Sequence, residues 1–138
     1  MNEIQILLVE DNEGDIILTR EALKDGRMKN SIIVAKDGQE ALDMLNNAEV
    51  LPDLILLDIN LPKMNGLEVL TTIKTDMRLR TIPVIMLSTS NEQNDILTSY
   101  NNYANCFITK PVDFNRFIDV VRTIEDFWIS IVKLPNKK

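Results

Sequence analysis

Short apolar runs recur five times along the chain, and segments with helical periodicity separate them. None of the runs alternates between apolar and polar residues, which is typical of parallel strands buried on both faces. The predicted strands are 4–9, 31–35, 54–57, 82–87 and 105–109. The predicted helices are 13–25, 38–47, 65–75, 91–102 and 113–132. This order predicts an α/β fold with a doubly wound parallel sheet.

Four of the predicted strands end in polar side chains that can do chemistry. The first is followed by Glu10 and Asp11, the third by Asp58, the fourth by Ser88 and the fifth by Lys110. In an open α/β sheet, the groups just beyond the carboxyl ends of the strands share one crevice. We therefore expect three carboxylates, a hydroxyl and an ammonium to converge. That combination suits one divalent cation and one phosphoryl group.

Three carboxylates in one crevice repel one another unless a cation lies between them. Mg²⁺ is a hard ion that takes oxygen ligands, commonly one or two carboxylates together with water and phosphate oxygens. One carboxylate can then act as a nucleophile and form an aspartyl phosphate. Asp58 is the candidate because it stands alone at the end of the central strand. Ser88 and Lys110 would supply a donor and a positive charge for the phosphoryl oxygens.

Composition narrows the classes of protein to which the chain can belong. With 138 residues, 45% of them hydrophobic, we expect one globular domain over 1–138 and no effector domain. The net charge of −6 disfavours direct binding of nucleic acid, and the absence of histidine excludes imidazole catalysis. No apolar stretch approaches the ~20 residues that span a bilayer. The single cysteine, Cys106, is consistent with a reducing compartment, so we expect a cytoplasmic protein without membrane contact.

The last predicted helix carries more apolar residues than one sheet face needs. Its first stripe comprises Phe117, Val121, Ile124, Trp128 and Ile131, and a second stripe comprises Val120 and Phe127. Packing against the sheet explains the first stripe. The second stripe indicates either further core packing or a surface for a partner or for self-association.

Four longer segments of the chain resemble one known family. They are ILLVEDN at 6–12, LILLDINLPKMNG at 54–66, PVIMLSTS at 83–90 and FITKP at 107–111. Together they resemble the receiver domain of two-component response regulators over essentially the whole chain. The resemblance implies a flavodoxin-like fold with five parallel strands in the order 2-1-3-4-5 and five helices.

The resemblance also implies roles for single residues around the acidic crevice. Asp58 would accept a phosphoryl group from a histidine kinase. Glu10 and Asp11, together with Asp58, would be the ligands of Mg²⁺. The residue two positions after the phosphoacceptor, Asn60, would contribute its backbone carbonyl to the same ion.

Switching is the next property that the resemblance implies. Phosphorylation of Asp58 would draw Ser88 and Lys110 towards the phosphoryl group. Movement of Ser88 would vacate space for Phe107 and alter the face formed by helix four, strand five and helix five. Many family members have tyrosine at this position, and a permanently buried Phe107 is the alternative. The bond between Lys110 and Pro111 resembles a cis peptide of the family.

Within the family, one subgroup of stand-alone regulators is similar in longer segments. The shared segments are 9–15, 87–90 and 105–114, with the Phe127-Trp128 pair near the end. This subgroup includes the partners of cyanobacterial phytochrome kinases. The resemblance implies a homodimer through the helix four–strand five–helix five face. It also implies a phytochrome-like sensor histidine kinase as the partner.

Three alternatives share parts of this chemistry. A phosphohydrolase of the haloacid dehalogenase type needs a second aspartate two residues after the nucleophile, where this chain has Asn60. A flavodoxin needs a loop of Ser, Thr and Gly after the first strand, where this chain has the acidic segment 10–13. A pseudo-receiver that never takes phosphate would not need the complete polar set. We therefore expect a signalling switch that catalyses its own phosphorylation and dephosphorylation, rather than a turnover enzyme.

Overall fold

A computed structural model of the chain describes residues 3–24, 29–88 and 106–109, together with positions 119, 122, 123, 125 and 126. The strands are β1 (Ile4–Val9), β2 (Asn30–Ala35), β3 (Leu54–Asp58), β4 (Val84–Ser88) and β5 (Cys106–Thr109). The helices are α1 (Glu13–Lys24), α2 (Gly38–Asn47) and α3 (Gly66–Thr75). No helix within these described residues is long and apolar enough to cross a membrane.

The strands form one parallel sheet in the order β2-β1-β3-β4-β5. The α/β class and the parallel sheet are as predicted from the sequence. In the register of the sheet, Val9 pairs with Ala35 on one side and with Leu57 on the other. The carboxyl ends of β1, β2 and β3 therefore lie side by side at one edge.

Apolar residues cover both faces of the sheet and form two core clusters. Along β3, Ile55 and Leu57 belong to the cluster that includes α2 and α3, whereas Leu54 and Leu56 belong to the cluster that includes α1. Every residue of β3 is buried. Burial on both faces explains why β3 does not alternate between apolar and polar residues.

One strand begins later than predicted. β4 starts at Val84 instead of residue 82, because the amide of Ile82 donates to the carbonyl of Leu79 in a turn and Pro83 has no amide. The carbonyl of Pro83 still accepts from the amide of Ile55 at 3.0 Å. Proline therefore stands immediately before the strand and not inside it.

Two predicted helices fall wholly or largely outside the described residues. The fourth, 91–102, lies entirely outside them, as do both apolar stripes of the fifth. The described positions of the fifth are helical, and its Glu125 is buried at 2% exposure. Nothing in the local sequence pattern predicted a buried carboxylate at this position.

Side chains cap all three helices, α1 to α3; at the start of α1, Oδ1 of Asn12 accepts from the amide of Asp15 at 2.9 Å. Asp37 accepts from the amide of Glu40 at 2.8 Å, which is the first of the two hydrogen bonds of a capping box at α2. The return bond differs, because Glu40 accepts from the amide of Lys36 at 2.8 Å. A complete capping box stands at α3, where Asn65 caps the helix and Glu68 accepts from the Asn65 amide at 3.2 Å.

Candidate functional site

Three carboxylates meet where β1 and β3 end. Asp58 is the last residue of β3, and Glu10 and Asp11 follow β1 directly. Ligand oxygens of these three side chains all lie within 4.8 Å of one another. Glu10 is 2% exposed and Asp58 is 4% exposed, whereas Asp11 is exposed to solvent. The structure therefore brings together the acidic set that the strand ends predicted.

Backbone amides orient the two buried carboxylates. The amide of Asn12 donates to Oε2 of Glu10 at 3.1 Å, and the amide of Asn60 donates to Oδ1 of Asp58 at 3.3 Å. Both are short-range contacts in the turns that follow the strands. The turns thus hold the two buried carboxylates at the carboxyl ends of the strands, with the exposed Asp11 beside them.

The donor set fits a hard divalent cation. Carboxylate oxygens are the preferred ligands of such ions, and three negative side chains within 4.8 Å repel one another without a positive charge between them. Glu10, Asp11 and Asp58 are the residues that could hold the ion. The site contains no nitrogen or sulfur ligand among its described residues, which disfavours the softer transition metals.

The loop from β3 to α3 is held tightly against Asp58. The amide of Gly66 donates to the carbonyl of Ile59 at 2.8 Å. A Cβ on Gly66 would lie only 2.1 Å from the carbonyl oxygen of Asp58, so no larger residue fits without movement of the backbone. The loop was predicted, but this close approach was not. The sequence signal that could have shown it is the glycine at the start of a helix.

Within this loop, Asn60 lies at the centre of a γ-turn. The amide of Leu61 donates to the carbonyl of Ile59 at 3.1 Å, which closes a three-residue turn. The backbone of Asn60 is thereby fixed two residues after Asp58.

The remaining predicted site residues are described in part or not at all. Ser88 is the last residue of β4, where it pairs with Thr109, and its neighbour Leu87 pairs with Asp58. The backbone of Ser88 therefore lies at the same edge as the carboxylates. Phe107 pairs with Met86 in β5. Lys110 and the Lys110–Pro111 bond lie outside the described residues.

Comparison with known proteins identifies the family. The family model described as the response regulator receiver domain matches residues 6–122. The chain belongs to this family. It is therefore a receiver domain of two-component systems, a signalling switch and not an enzyme in the usual sense. Members of the family bind a divalent metal, in agreement with the acidic cluster.

Stand-alone phytochrome response regulators are among the similar proteins. The receiver domain is 40% identical over 135 residues to the response regulator Rcp1 of Synechocystis sp., covering 94% of this chain and 92% of Rcp1. The crystal structure of the phosphorylated cyanobacterial phytochrome response regulator RcpA is 43% identical, with a TM-score of 0.89, and covers 98% of this chain and 100% of that one.

A metal-bound relative is also similar in structure. The Mn²⁺-bound form of Rcp1 is 39% identical to the receiver domain, with a TM-score of 0.85, and the match covers 94% of this chain and 96% of that one. The resemblance to the stand-alone regulators that the sequence indicated is confirmed.

Proposed function

We propose that this chain is a phosphorylation-activated response regulator that accepts a phosphoryl group on Asp58 from a sensor histidine kinase. The observation that carries the proposal is the convergence of Glu10, Asp11 and Asp58 within 4.8 Å at the end of the central strands. Membership of the receiver family supports a histidine kinase as the donor.

In the proposed reaction, a carboxylate oxygen of Asp58 attacks phosphorus and forms the new P–O bond. The P–N bond to the imidazole of the donor breaks, and its electron pair stays on the imidazole nitrogen. A divalent cation, which we propose to be Mg²⁺, would supply positive charge against the phosphoryl oxygens. Glu10, Asp11 and the backbone carbonyl of Asn60 would complete the oxygen ligands together with Asp58.

Residues beyond the acidic cluster would contact the phosphoryl group and respond to its presence. We propose that the hydroxyl of Ser88 donates to a phosphoryl oxygen and that the ammonium of Lys110 pairs with another. Phe107 would respond to the movement of Ser88, and the Lys110–Pro111 peptide would be cis. The backbone position of Ser88 beside the partner of Asp58 supports this arrangement.

At the scale of the whole protein, the proposal is a single receiver domain over 1–138 with the five-stranded, five-helix architecture of the family. It would act in the cytoplasm by protein contact and not by direct binding of nucleic acid, and it would catalyse its own phosphorylation and dephosphorylation. Similarity to Rcp1 and RcpA supports a phytochrome-like kinase as the partner. The helix four–strand five–helix five face would form a homodimer.

The first experiment is intact mass spectrometry after incubation with acetyl phosphate, with and without Mg²⁺. We expect one acid-labile phosphoryl adduct in the wild type, dependent on Mg²⁺, and none in Asp58→Asn. The matched control is Asp43→Asn, which makes the same change of charge on the exposed face of α2. Its new amide oxygen can still accept from Nε2 of Gln39, as Asp43 does at 3.0 Å.

The outcomes separate the proposed function from its alternatives. An adduct that persists in Asp58→Asn would contradict the assignment of the phosphoacceptor. A folded wild type that binds Mg²⁺ but takes up no phosphoryl group would instead support a pseudo-receiver. Multiple turnover of phosphate esters without a lasting adduct would support a phosphohydrolase.

A further inference from the structure

The loop between β3 and α3 contains a strained turn at Lys63. The amide of Met64 donates to the carbonyl of Pro62 at 2.7 Å, which closes a γ-turn, and the central Lys63 has φ 68°. No other non-glycine residue in the described part of the chain has a positive φ. A γ-turn with positive φ is rare and strained, so the structure around it must hold it in place.

The N-terminus of α2 supplies one contact that holds this turn. Nζ of Lys63 lies 3.5 Å from Oδ2 of Asp37, while Oδ1 of Asp37 accepts from the amide of Glu40 at 2.8 Å. The side chain of Asp37 is 19% exposed and that of Lys63 is 73% exposed. The carboxylate is therefore the anchored partner, and it joins the loop tip to the first turn of α2.

Backbone packing joins the same two segments. A Cβ on Gly38 would lie 2.8 Å from the carbonyl oxygen of Met64, so the first residue of α2 touches the loop directly. The far end of the loop is fixed where the amide of Gly66 donates to Ile59. Asn60 lies in the chain between Ile59 and Met64, the residues fixed by these two contacts, and two residues after Asp58.

We propose that Lys63 is a positioning residue for the divalent cation site and acts through its ion pair with Asp37. The pair ties the loop tip to α2 and so restricts the backbone of Asn60, whose carbonyl is the proposed metal ligand. This inference rests on the proposed function of the acidic cluster. It makes metal affinity depend on two residues that do not touch the metal.

The charge of Lys63 alone predicts the opposite effect. An ammonium near an acidic crevice repels a divalent cation, so its removal would strengthen metal binding if only Coulomb forces acted. If Lys63 positions the loop, its removal weakens metal binding. The direction of the change therefore separates a positioning role from a simple contribution to the local potential.

The test is calorimetric titration of Mg²⁺ into the wild type, Lys63→Met, Asp37→Asn and the double variant. Asparagine at position 37 can still cap α2, so this change removes the charge and keeps the helix start. We expect Kd for Mg²⁺ to rise about two- to fivefold in each single variant, the range for an exposed ion pair. Because both substitutions break the same ion pair, Kd for Mg²⁺ in the double variant should not exceed the higher of the two single-variant values. Lys63→Arg should restore wild-type affinity.

The control is Lys29→Met. This variant removes an exposed lysine just before β2, at the amino-terminal ends of the strands and so away from the acidic cluster, and it should leave Kd for Mg²⁺ unchanged. Unchanged or tighter binding by Lys63→Met, or additive losses in the double variant, would overturn the inference. Phosphoryl uptake from acetyl phosphate is measured alongside. Its absence in a wild type that binds Mg²⁺ overturns only the proposed function, whereas a wild type that binds no Mg²⁺ overturns both.

Discussion

At the scale of single residues, Gly66 illustrates how closely the backbone packs around Asp58. A Cβ at this position would lie 2.1 Å from the carbonyl oxygen of Asp58 and 2.7 Å from Cα of Ile59. Because both are backbone atoms, Gly66→Ala must move the end of β3 relative to α3. We expect it to lower the free energy of unfolding by about 1–3 kcal/mol, as overpacking does. Urea denaturation measures the loss, and acetyl phosphate labelling should show slower phosphoryl uptake.

Gly14→Ala is the matched control for Gly66→Ala. The nearest atom to its added Cβ would be Oδ1 of Asn12 at 3.2 Å, which accepts from the amide of Asp15 at 2.9 Å and would have to shift by only a few tenths of an ångström. Alanine is favoured over glycine in a helix by up to about 1 kcal/mol, so this variant should be at least as stable as the wild type. Equal stability of Gly66→Ala and the wild type would contradict the close approach.

Asp37 makes the stability of the fold depend on pH. The hydrogen bond from the Glu40 amide lowers the pKa of Asp37 below its ordinary 3.8, and Lys63 acts in the same direction against the opposing effect of burial. The folded pKa lies below the unfolded one, so the stabilisation is complete above the unfolded pKa. It is lost as the pH falls through the folded pKa.

We therefore expect Asp37→Asn to be less stable than the wild type at pH 7, with the difference disappearing as the pH falls below 3.8 and through the lowered pKa. Urea unfolding at a series of pH values measures the difference. Because asparagine also caps helices, the comparison reports the charge and not the loss of a cap. A difference that stays constant with pH would show that the charge of Asp37 is not the cause.

At the scale of elements, one arginine fastens the connection between α3 and β4 to the end of α2. Nη1 of Arg78 donates to the carbonyl of Leu45 at 2.9 Å, and Nη2 donates to the carbonyl of Ala48. Carbonyls at a helix C-terminus lack intrahelical partners and attract positive charge. We expect Arg78→Met to lower the free energy of unfolding by about 1–2 kcal/mol, measured by urea denaturation.

Arg80→Met provides the comparison for Arg78→Met. Arg80 is an exposed arginine on the same connection, and its backbone carbonyl, which accepts from Lys74 at 3.0 Å, survives the substitution. Its effect should stay within about 0.5 kcal/mol. If both variants lost the same stability, the contacts of Arg78 with α2 would not be the reason.

The accuracy of the element prediction depends on whether the signal is local. β1 and α2 have the predicted bounds, because a continuous apolar run and a capped helical pattern each lie within a few residues. β4 was predicted two residues too early at Ile82. That residue is apolar and buried, but its amide bonds Leu79 in a turn. Hydrophobicity reports burial, and it does not report which backbone partner an amide finds.

At the scale of the whole molecule, the acidic cluster was predictable because parallel strands place all their carboxyl ends at one edge. The predicted strand ends are therefore enough to place Asp58 close to Glu10. The contacts of Lys63 with Asp37 and of Arg78 with Leu45 were not predictable. Each joins a long exposed side chain to a group distant in sequence, the carboxylate of Asp37 or the backbone carbonyl of Leu45, and the local pattern does not determine which partner such a side chain reaches.

Self-association is a further prediction at this scale. The second apolar stripe of the last predicted helix, Val120 and Phe127, motivates the proposed homodimer. We expect the wild type to have the mass of a dimer by light scattering, and Phe127→Asp to have the mass of a monomer, because a buried charge disfavours an apolar interface. A native circular dichroism spectrum is the control for folding. An unchanged mass would place Phe127 away from the interface.

The acidic cluster should also limit the stability of the metal-free protein. Glu10 and Asp58 are almost fully buried, with Asp11 beside them, so their mutual repulsion opposes folding. Asp58→Asn removes one of these charges and keeps an oxygen that can accept from the amide of Asn60. In EDTA, we expect this variant to be more stable than the wild type by on the order of 1 kcal/mol.

Saturation with metal should reverse this order. A ligand at 100 times its Kd stabilises the folded state by about 2.7 kcal/mol, and only the wild type keeps all three carboxylates. Urea denaturation in EDTA and in excess Mg²⁺ measures the free energy of unfolding of both proteins and shows whether their order reverses. The control Asp43→Asn should be as stable as the wild type in both conditions. If Asp58→Asn were the less stable protein in EDTA, hydrogen bonds to the Asp58 carboxylate would outweigh the repulsion. The cluster would then be stable without metal, and Mg²⁺ would not be needed to hold these side chains together.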